Sequence, residues 1–247
     1  MKFDLEKVYS DYINHENTIN RKKYDKYKGW FSASSAGSCF KKQFLRAKAK
    51  EGTPMDNRVL RLLRLGTIVH KDFEEAIKLH LENLDTKDYK IYSEHRIEIP
   101  EINVIGHLDI AVEQHNNLDI YDLKTVASYK WSKQFGWKKN RATNPSVNYE
   151  LQLGTYAIGL ANETGIAPDR IYLYLAWYNK DNSGMKIKDV PSFWMDNAFE
   201  YWTELGELWE GTEGDFTQLI PGSENIPVAK WECKYCEYKD IFCEGIK

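Results

Sequence analysis

Asn103-Val104-Ile105-Gly106-His107-Leu108-Asp109-Ile110-Ala111-Val112 and Leu118-Asp119-Ile120-Tyr121-Asp122-Leu123-Lys124-Thr125-Val126 are two apolar, β-branched runs, with polar, turn-prone Gln114-His115-Asn116-Asn117 between them. Such a pair reads as a β-hairpin. With the turn centred on His115-Asn116, position 109 faces position 122 across the ladder, where opposed Cβ atoms are roughly 4.5–5.5 Å apart. Lys124 lies two residues beyond Asp122, so strand alternation places its ammonium on the same face. Two carboxylates and a lysine on one strand face are poor structural material and good metal chemistry.

Outward from the hairpin, residues 90–99 read as a preceding strand, so 90–99, 103–113 and 118–126 form an antiparallel meander. Further upstream, residues 1–28 are charged and helical in pattern, with Leu5, Val8, Tyr9, Tyr12 and Ile13 as an apolar stripe. Phe31-Ser32-Ala33-Ser34-Ser35 is a small-residue loop, in which a serine can cap the helix carrying Cys39, Phe44 and Leu45. A long helical pattern from about Asp56 to Leu84 is interrupted by Gly66. Downstream, Tyr129 to Arg141 is irregular and basic, and a helix from about Val147 to Thr164 ends near Gly165 and Pro168. Strands at 170–178 and 185–190 and an aromatic-rich helix from about Phe193 to Glu210 follow. A loop-like tail from Gly211 holds three of the four cysteines. Strands flanked by helices on both sides predict an α/β fold with a central mixed β-sheet.

At 247 residues the chain suits a single domain, divided as a helical extension over 1–30, a core over 31–210 and a C-terminal segment over 211–247. Hydrophobic residues are 42% and charged residues 29%, the balance of a water-soluble globular chain. A net charge of −3 means that any nucleic-acid contact must come from local patches. No stretch approaches ~20 uninterrupted apolar residues, so no membrane partner is expected, and nothing directs the protein out of the cytoplasm.

Hard oxygen ligands such as Asp109 and Asp122 select Mg²⁺ or Mn²⁺. A cation held there can polarise a phosphodiester and lower the pKa of a bound water. Lys124 supplies a point charge that can orient the water or offset charge on the phosphorane. His70, after Gly66-Thr67-Ile68-Val69, is a third ligand candidate, and Gly66 would let its helix pack closely on the sheet. The bland alternative makes the two acids edge-strand surface groups and Lys124 an ordinary cross-strand partner. Gln152 and Tyr156, four residues apart in Gln152-Leu153-Gly154-Thr155-Tyr156, share one helix face.

In this order, His70, Gly106-His107-Leu108-Asp109, Asp122-Leu123-Lys124 and Gln152 with Tyr156 resemble the PD-(D/E)XK nucleases, specifically the RecB-like branch. The resemblance covers about residues 32–160. It implies that His70, Asp109, Asp122 and the Leu123 carbonyl bind a divalent metal and that Lys124 is catalytic. It also implies that Gln152 and Tyr156 contact DNA or brace the site, and that the sheet is of the PD-(D/E)XK type.

Cys233-Lys234-Tyr235-Cys236, then Cys243, then distant Cys39 make a split set. Four thiolates suit a [4Fe–4S] cluster, a structural zinc ion or two disulfides. The reducing cytosol disfavours disulfides, and the single Cys-x-x-Cys knuckle disfavours zinc. One N-terminal cysteine with a C-terminal Cys-x2-Cys-x6-Cys resembles the iron–sulfur RecB-like nucleases, including the fourth CRISPR-associated family and the nuclease domain of bacterial AddB. There a structural [4Fe–4S] cluster joins the chain's two ends, with Trp231, Tyr235, Tyr238 and Phe242 as candidate shields here.

Tyr129 to Arg141 holds five basic residues, four aromatics and no acid. Cations that pair phosphates, interleaved with rings that stack bases, suit a single-strand track. Lys130, Trp131, Lys133, Trp137, Lys138, Lys139 and Arg141 are its contact candidates, although the same tryptophans could instead tuck into the core. Lys41, Lys42, Arg46, Lys48 and Lys50, and Arg58, Arg61 and Arg64, are further basic runs of the kind that usually form solvated faces. The expected activity is a Mg²⁺- or Mn²⁺-dependent DNA exonuclease on single-stranded DNA or DNA ends. A helicase, an integrase or a replication protein would be its partner, since no nucleotide-binding Gly-x-x-x-x-Gly-Lys motif is present. The competing reading is a non-catalytic DNA-end-binding adaptor in a recombination, phage replication or CRISPR adaptation complex.

Overall fold

His115 (φ 50°) and Asn116 (φ 61°) both adopt left-handed backbone. That makes a two-residue primed turn, whose twist matches that of the strands it joins. The strands are β3 (Val104–Gln114) and β4 (Asn117–Val126), in the computed structural model, which describes residues 4–24, 27–83, 88–136, 146–219 and 230–245. Their pairing runs from Gln114↔Asn117 to Ile110↔Tyr121 and stops one step short of Asp109 and Asp122. The register is the expected one, but the ladder opens at the acids.

β4 then runs parallel to β5 (Ile171–Asn179) along its whole length from Leu118 to Lys124 and Val126. The edge of β3 that β4 vacates is taken by β1 (Phe31–Ser32), parallel, with Phe31↔Val104 and Ser32↔Ile105. β2 (Tyr89–Ile99) holds the other edge of β3, and β6 (Met185–Val190) closes the far side of β5. The outcome is a mixed six-stranded sheet with a fork between β3 and β4. β4 is therefore interior, so the edge-strand alternative for Asp122 does not hold.

The sheet is covered on one face by α5 (Val147–Thr164) and α6 (Trp194–Gly211), with α2 (Phe40–Ala47) against α6 through Phe44 and Trp209. Trp177, Trp202, Phe44, Leu153 and Leu160 are buried there. α3 (Asn57–Glu82) lies on the other face, where Phe73 meets Tyr178 of β5 edge-on. α1 (Leu5–Tyr24) rides on α3, held in part by Arg61 to Glu6 and Ser10 and by Arg64 to Tyr12. No helix among the described residues is long and apolar enough to cross a membrane.

Five local expectations change. Gly66 does not interrupt α3; it lies over β4, where a Cβ would sit 3.1 Å from the Thr125 hydroxyl. Leu5, Val8, Tyr9 and Tyr12 are exposed, and only Ile13 of the stripe is buried, because α1 packs on another helix rather than on the core. The basic segment begins as a regular helix, α4 (Ser128–Phe135), in which Trp131 packs on Phe135 and Phe135 meets buried Trp177 edge-on. Cys39 is itself the residue before the first turn of α2, and no serine side chain caps it; the tail forms a further short helix, α7 (Lys230–Lys234).

The core also records a change of phase. Core residues in β3 fall at 104 and 108 and then at 111; in β2 they fall at 99 and 97 and then at 92. Strand alternation keeps one parity on one face, so both strands exchange the face they turn inward. The exchange brackets Asp109 and Glu94, whose pair is missing from an otherwise constant register, and Glu94 has a φ of 47°.

Candidate active site

The opening of the fork lets groups from both faces of the sheet meet. Asp109 Oδ2 accepts the Leu123 N–H across the gap at 2.7 Å. The N–H and C=O of one residue leave an extended strand by the same edge, so the Leu123 carbonyl faces the fork as well. His70 arrives from α3, its Nδ1 3.4 Å from Asp109 Oδ1.

From the opposite layer, Gln152 Oε1 of α5 accepts from Lys124 Nζ at 2.9 Å, while its Nε2 donates to the Tyr156 hydroxyl at 2.8 Å. Gly106 explains why a glycine precedes Asp109 by three positions: a Cβ there would stand 2.8 Å from the Tyr156 ring and 2.7 Å from Ala33. The bare backbone admits Tyr156, Tyr156 holds Gln152, and Gln152 holds Lys124.

Asp122 has no exposed surface. Its Oδ1 accepts from Lys124 Nζ at 3.0 Å; its Oδ2 lies 2.8 Å from the same ammonium but outside hydrogen-bond alignment, and no other donor serves it. Burial pushes the Asp122 carboxyl up, and the Asp109 charge adds to this against the pull of Lys124. Burial alone would lower Lys124, but the Asp122 and Asp109 carboxylates hold its ammonium above the usual lysine value. His70 follows the same logic: desolvation lowers it, and Asp109 outweighs this and raises it. His70 and Asp109 thus meet on one side of the fork, and Asp122, Lys124, Gln152 and Tyr156 are linked on the other.

Two residues escaped the sequence reading. Tyr149 of α5 lies with its ring 4.7 Å from Lys124 Nζ and 4.1 Å from Lys130 Nζ, and Lys130 also donates to its hydroxyl at 2.6 Å. Glu94 of β2 joins His70 and Asp109, with one ligand atom from each within 4.8 Å of the others. Partial burial raises the Glu94 carboxyl, helped by the charges of Asp109 and Glu74. Neither carries a sequence signal: Glu94 alternates with Arg96 and Glu98 like any solvent-facing strand residue.

The expected DNA contacts divide. Lys130 adjoins the site through Tyr149, Lys133 lies over the exposed Tyr129, and Trp131 packs into the core fringe as the bland alternative anticipated. Trp137, Lys138, Lys139 and Arg141 fall outside the described residues. The run in α2 instead holds the C-terminal segment: Lys41 to the Leu219 carbonyl, Lys42 to Glu232, Arg46 to Glu237, and Lys48 to the Glu213 carbonyl. Cys39, Cys233, Cys236 and Cys243 line one pocket with Leu45 and Tyr238, and none is in a disulfide. The Trp231 side chain lies outside the described residues.

The profile of the PD-(D/E)XK nuclease superfamily matches residues 58–243. The chain belongs to that superfamily. The crystal structure of the protein SSO0001 resembles it with a TM-score of 0.55 at 16% identity, over 97% of this chain and 98% of that one, a likeness of fold. A candidate exonuclease from Eubacterium rectale aligns over 100% of this chain and 97% of its own, at 14% identity and a TM-score of 0.49. No curated protein matches the chain significantly.

Proposed function

We propose that this nuclease is a divalent-metal-dependent DNA exonuclease acting on single-stranded ends, with a [4Fe–4S] cluster clipping its C-terminal segment to α2. The observation that carries the reading is the convergence of Asp109, Asp122, Lys124 and His70 at the fork. A fully buried carboxylate with an oxygen lacking an aligned donor is costly in a plain structural role, and it fits a cation. Carboxylate and backbone-carbonyl oxygens suit Mg²⁺ or Mn²⁺. His70, Asp109, Asp122 and the Leu123 carbonyl would hold the ion.

When bound, the cation supplies Lewis acidity toward a phosphodiester oxygen and toward a water. Lys124 stands with its ammonium fixed by Asp122 and Gln152, ready to orient that water or to balance charge on the phosphorane. Tyr156 braces Gln152. Lys130 and Lys133 on α4 extend positive charge outward from Tyr149, in keeping with a strand end led to the fork. Duplex ends would be opened or presented by a helicase, an integrase or a replication protein.

The cluster reading rests on the four cysteines around one pocket and on their spacing. The test uses anaerobically prepared, iron-containing protein and strands labelled separately at the 5′ and 3′ ends, single and double, with Mn²⁺. Stepwise shortening of single strands is expected. No Mn²⁺-dependent cleavage of any strand would overturn the nuclease assignment, and zinc without iron would overturn the cluster alone.

A further inference from the structure

Glu94 of β2 stands opposite Asp109 of β3, at the step where the β2–β3 ladder omits its pair. A residue with a side chain rarely adopts its left-handed backbone. Its carboxylate lies beside His70 and Asp109, and the three ligand atoms are all within 4.8 Å of one another. Mg²⁺ holds its ligands at about 2.1 Å, so adjacent ligand atoms are about 3 Å apart and opposite ones about 4.2 Å. His70 Nδ1 and Asp109 Oδ1, 3.4 Å apart, already fall in that range. Side-chain movements of at most about 2 Å would bring all three onto one ion.

Charge points the same way. The Lys124 ammonium is engaged by Asp122 and Gln152. Glu94 instead faces the negative charges of Asp109 and of Glu74, one turn beyond His70 on α3, against the weaker opposing pull of His70. Like charges placed directly across a sheet are destabilising, so a cation between Glu94 and Asp109 would relieve this corner of the fork.

Building on the nuclease reading, we propose that Glu94 is a further protein ligand of the divalent cation, supplied by β2 next to His70 and Asp109, and that it sets how tightly the ion is held. An added carboxylate strengthens binding of a hard cation. The ion would then remain in place before a DNA phosphate contributes its oxygens.

The test is direct Mn²⁺ binding to the full chain without DNA, followed by electron paramagnetic resonance, for wild type, Glu94→Gln, Glu94→Gly and Asp109→Asn. Glu94→Gln should raise the Mn²⁺ concentration for half-saturation by about tenfold or more, and saturating Mn²⁺ should restore most of its nuclease rate. Glu94→Gly should bind as weakly while melting no lower than wild type in the absence of metal, because glycine accepts the positive φ. That combination separates a ligand from a structural residue. Wild-type Mn²⁺ affinity in Glu94→Gln, alongside its loss in Asp109→Asn, would overturn the role of Glu94 and leave the nuclease reading standing. A wild-type chain that binds no Mn²⁺ would overturn both.

Discussion

The fork between β3 and β4 and the pocket lined by the four cysteines both gather ligand-type side chains, and they are built by opposite means. At the fork, Asp109, Asp122 and Lys124 come from one hairpin, Asp122 fully buried and the other two half-buried, with an Asp122 oxygen short of an aligned donor. At the cysteine pocket, residues nearly 200 positions apart meet on a surface already fastened by ordinary contacts: Arg46 to Glu237, Lys42 to Glu232, and the Thr53 N–H to the Glu237 carbonyl. The first region holds unfavourable groups in place and the second is a joint. Substitutions at the fork should therefore change chemistry more than stability, and those at the joint the reverse.

The largest expected effect tests the first half of that contrast. Asp109→Ala or Lys124→Ala should lower the Mn²⁺-dependent cleavage rate by about 10²–10³-fold or more, with iron content and visible absorption unchanged. An equal loss of iron in these variants would erase the distinction. Next, on the proposed cluster, Cys39→Ser or Cys236→Ser should leave the protein without iron and lower the melting temperature, because binding energy at a structural metal site is folding energy. Full thermal stability in an iron-free variant would mean that the ordinary contacts alone make the joint.

Gly106→Ala sharpens the comparison by moving the fork without touching a ligand. The new methyl meets Tyr156 and Ala33, so a stability loss of about 1–3 kcal/mol in chemical denaturation is expected, together with a lower cleavage rate as Gln152 and Lys124 shift. The smallest effect belongs to Arg46→Ala. Its partly exposed pair with Glu237 should contribute only about 0.2–1 kcal/mol, read as a small drop in melting temperature with cleavage unchanged.

The contrast also explains what could be read in the residues alone. The hairpin was legible because its register depends on a local turn, and His115-Asn116 sits where expected. Helix α5 was legible from its periodicity and its Gly165 stop, so Gln152 and Tyr156 fell on the correct face. Glu94 was hidden because its placement beside Asp109 comes from the shared phase change of two strands, which no alternation in either one encodes. The basic run of α2 looked like a solvated or DNA-facing surface, since its acidic partners lie almost 200 residues away. α1 was misjudged in degree: its stripe is real, but a helix packed on a helix covers less of it than a core would.

The phase change at Asp109 and Glu94 behaves like a dislocation in a crystal, where two ordered regions meet half a period out of step. Such a defect cannot drift. Sliding β2 by a single residue would turn Ile97 and Ile99 outward on one side of it and Tyr92 outward on the other. The hydrophobic interior on both sides therefore pins the position at which the acids emerge, and the chain gains a fixed address for its charges without any rigid loop to hold them.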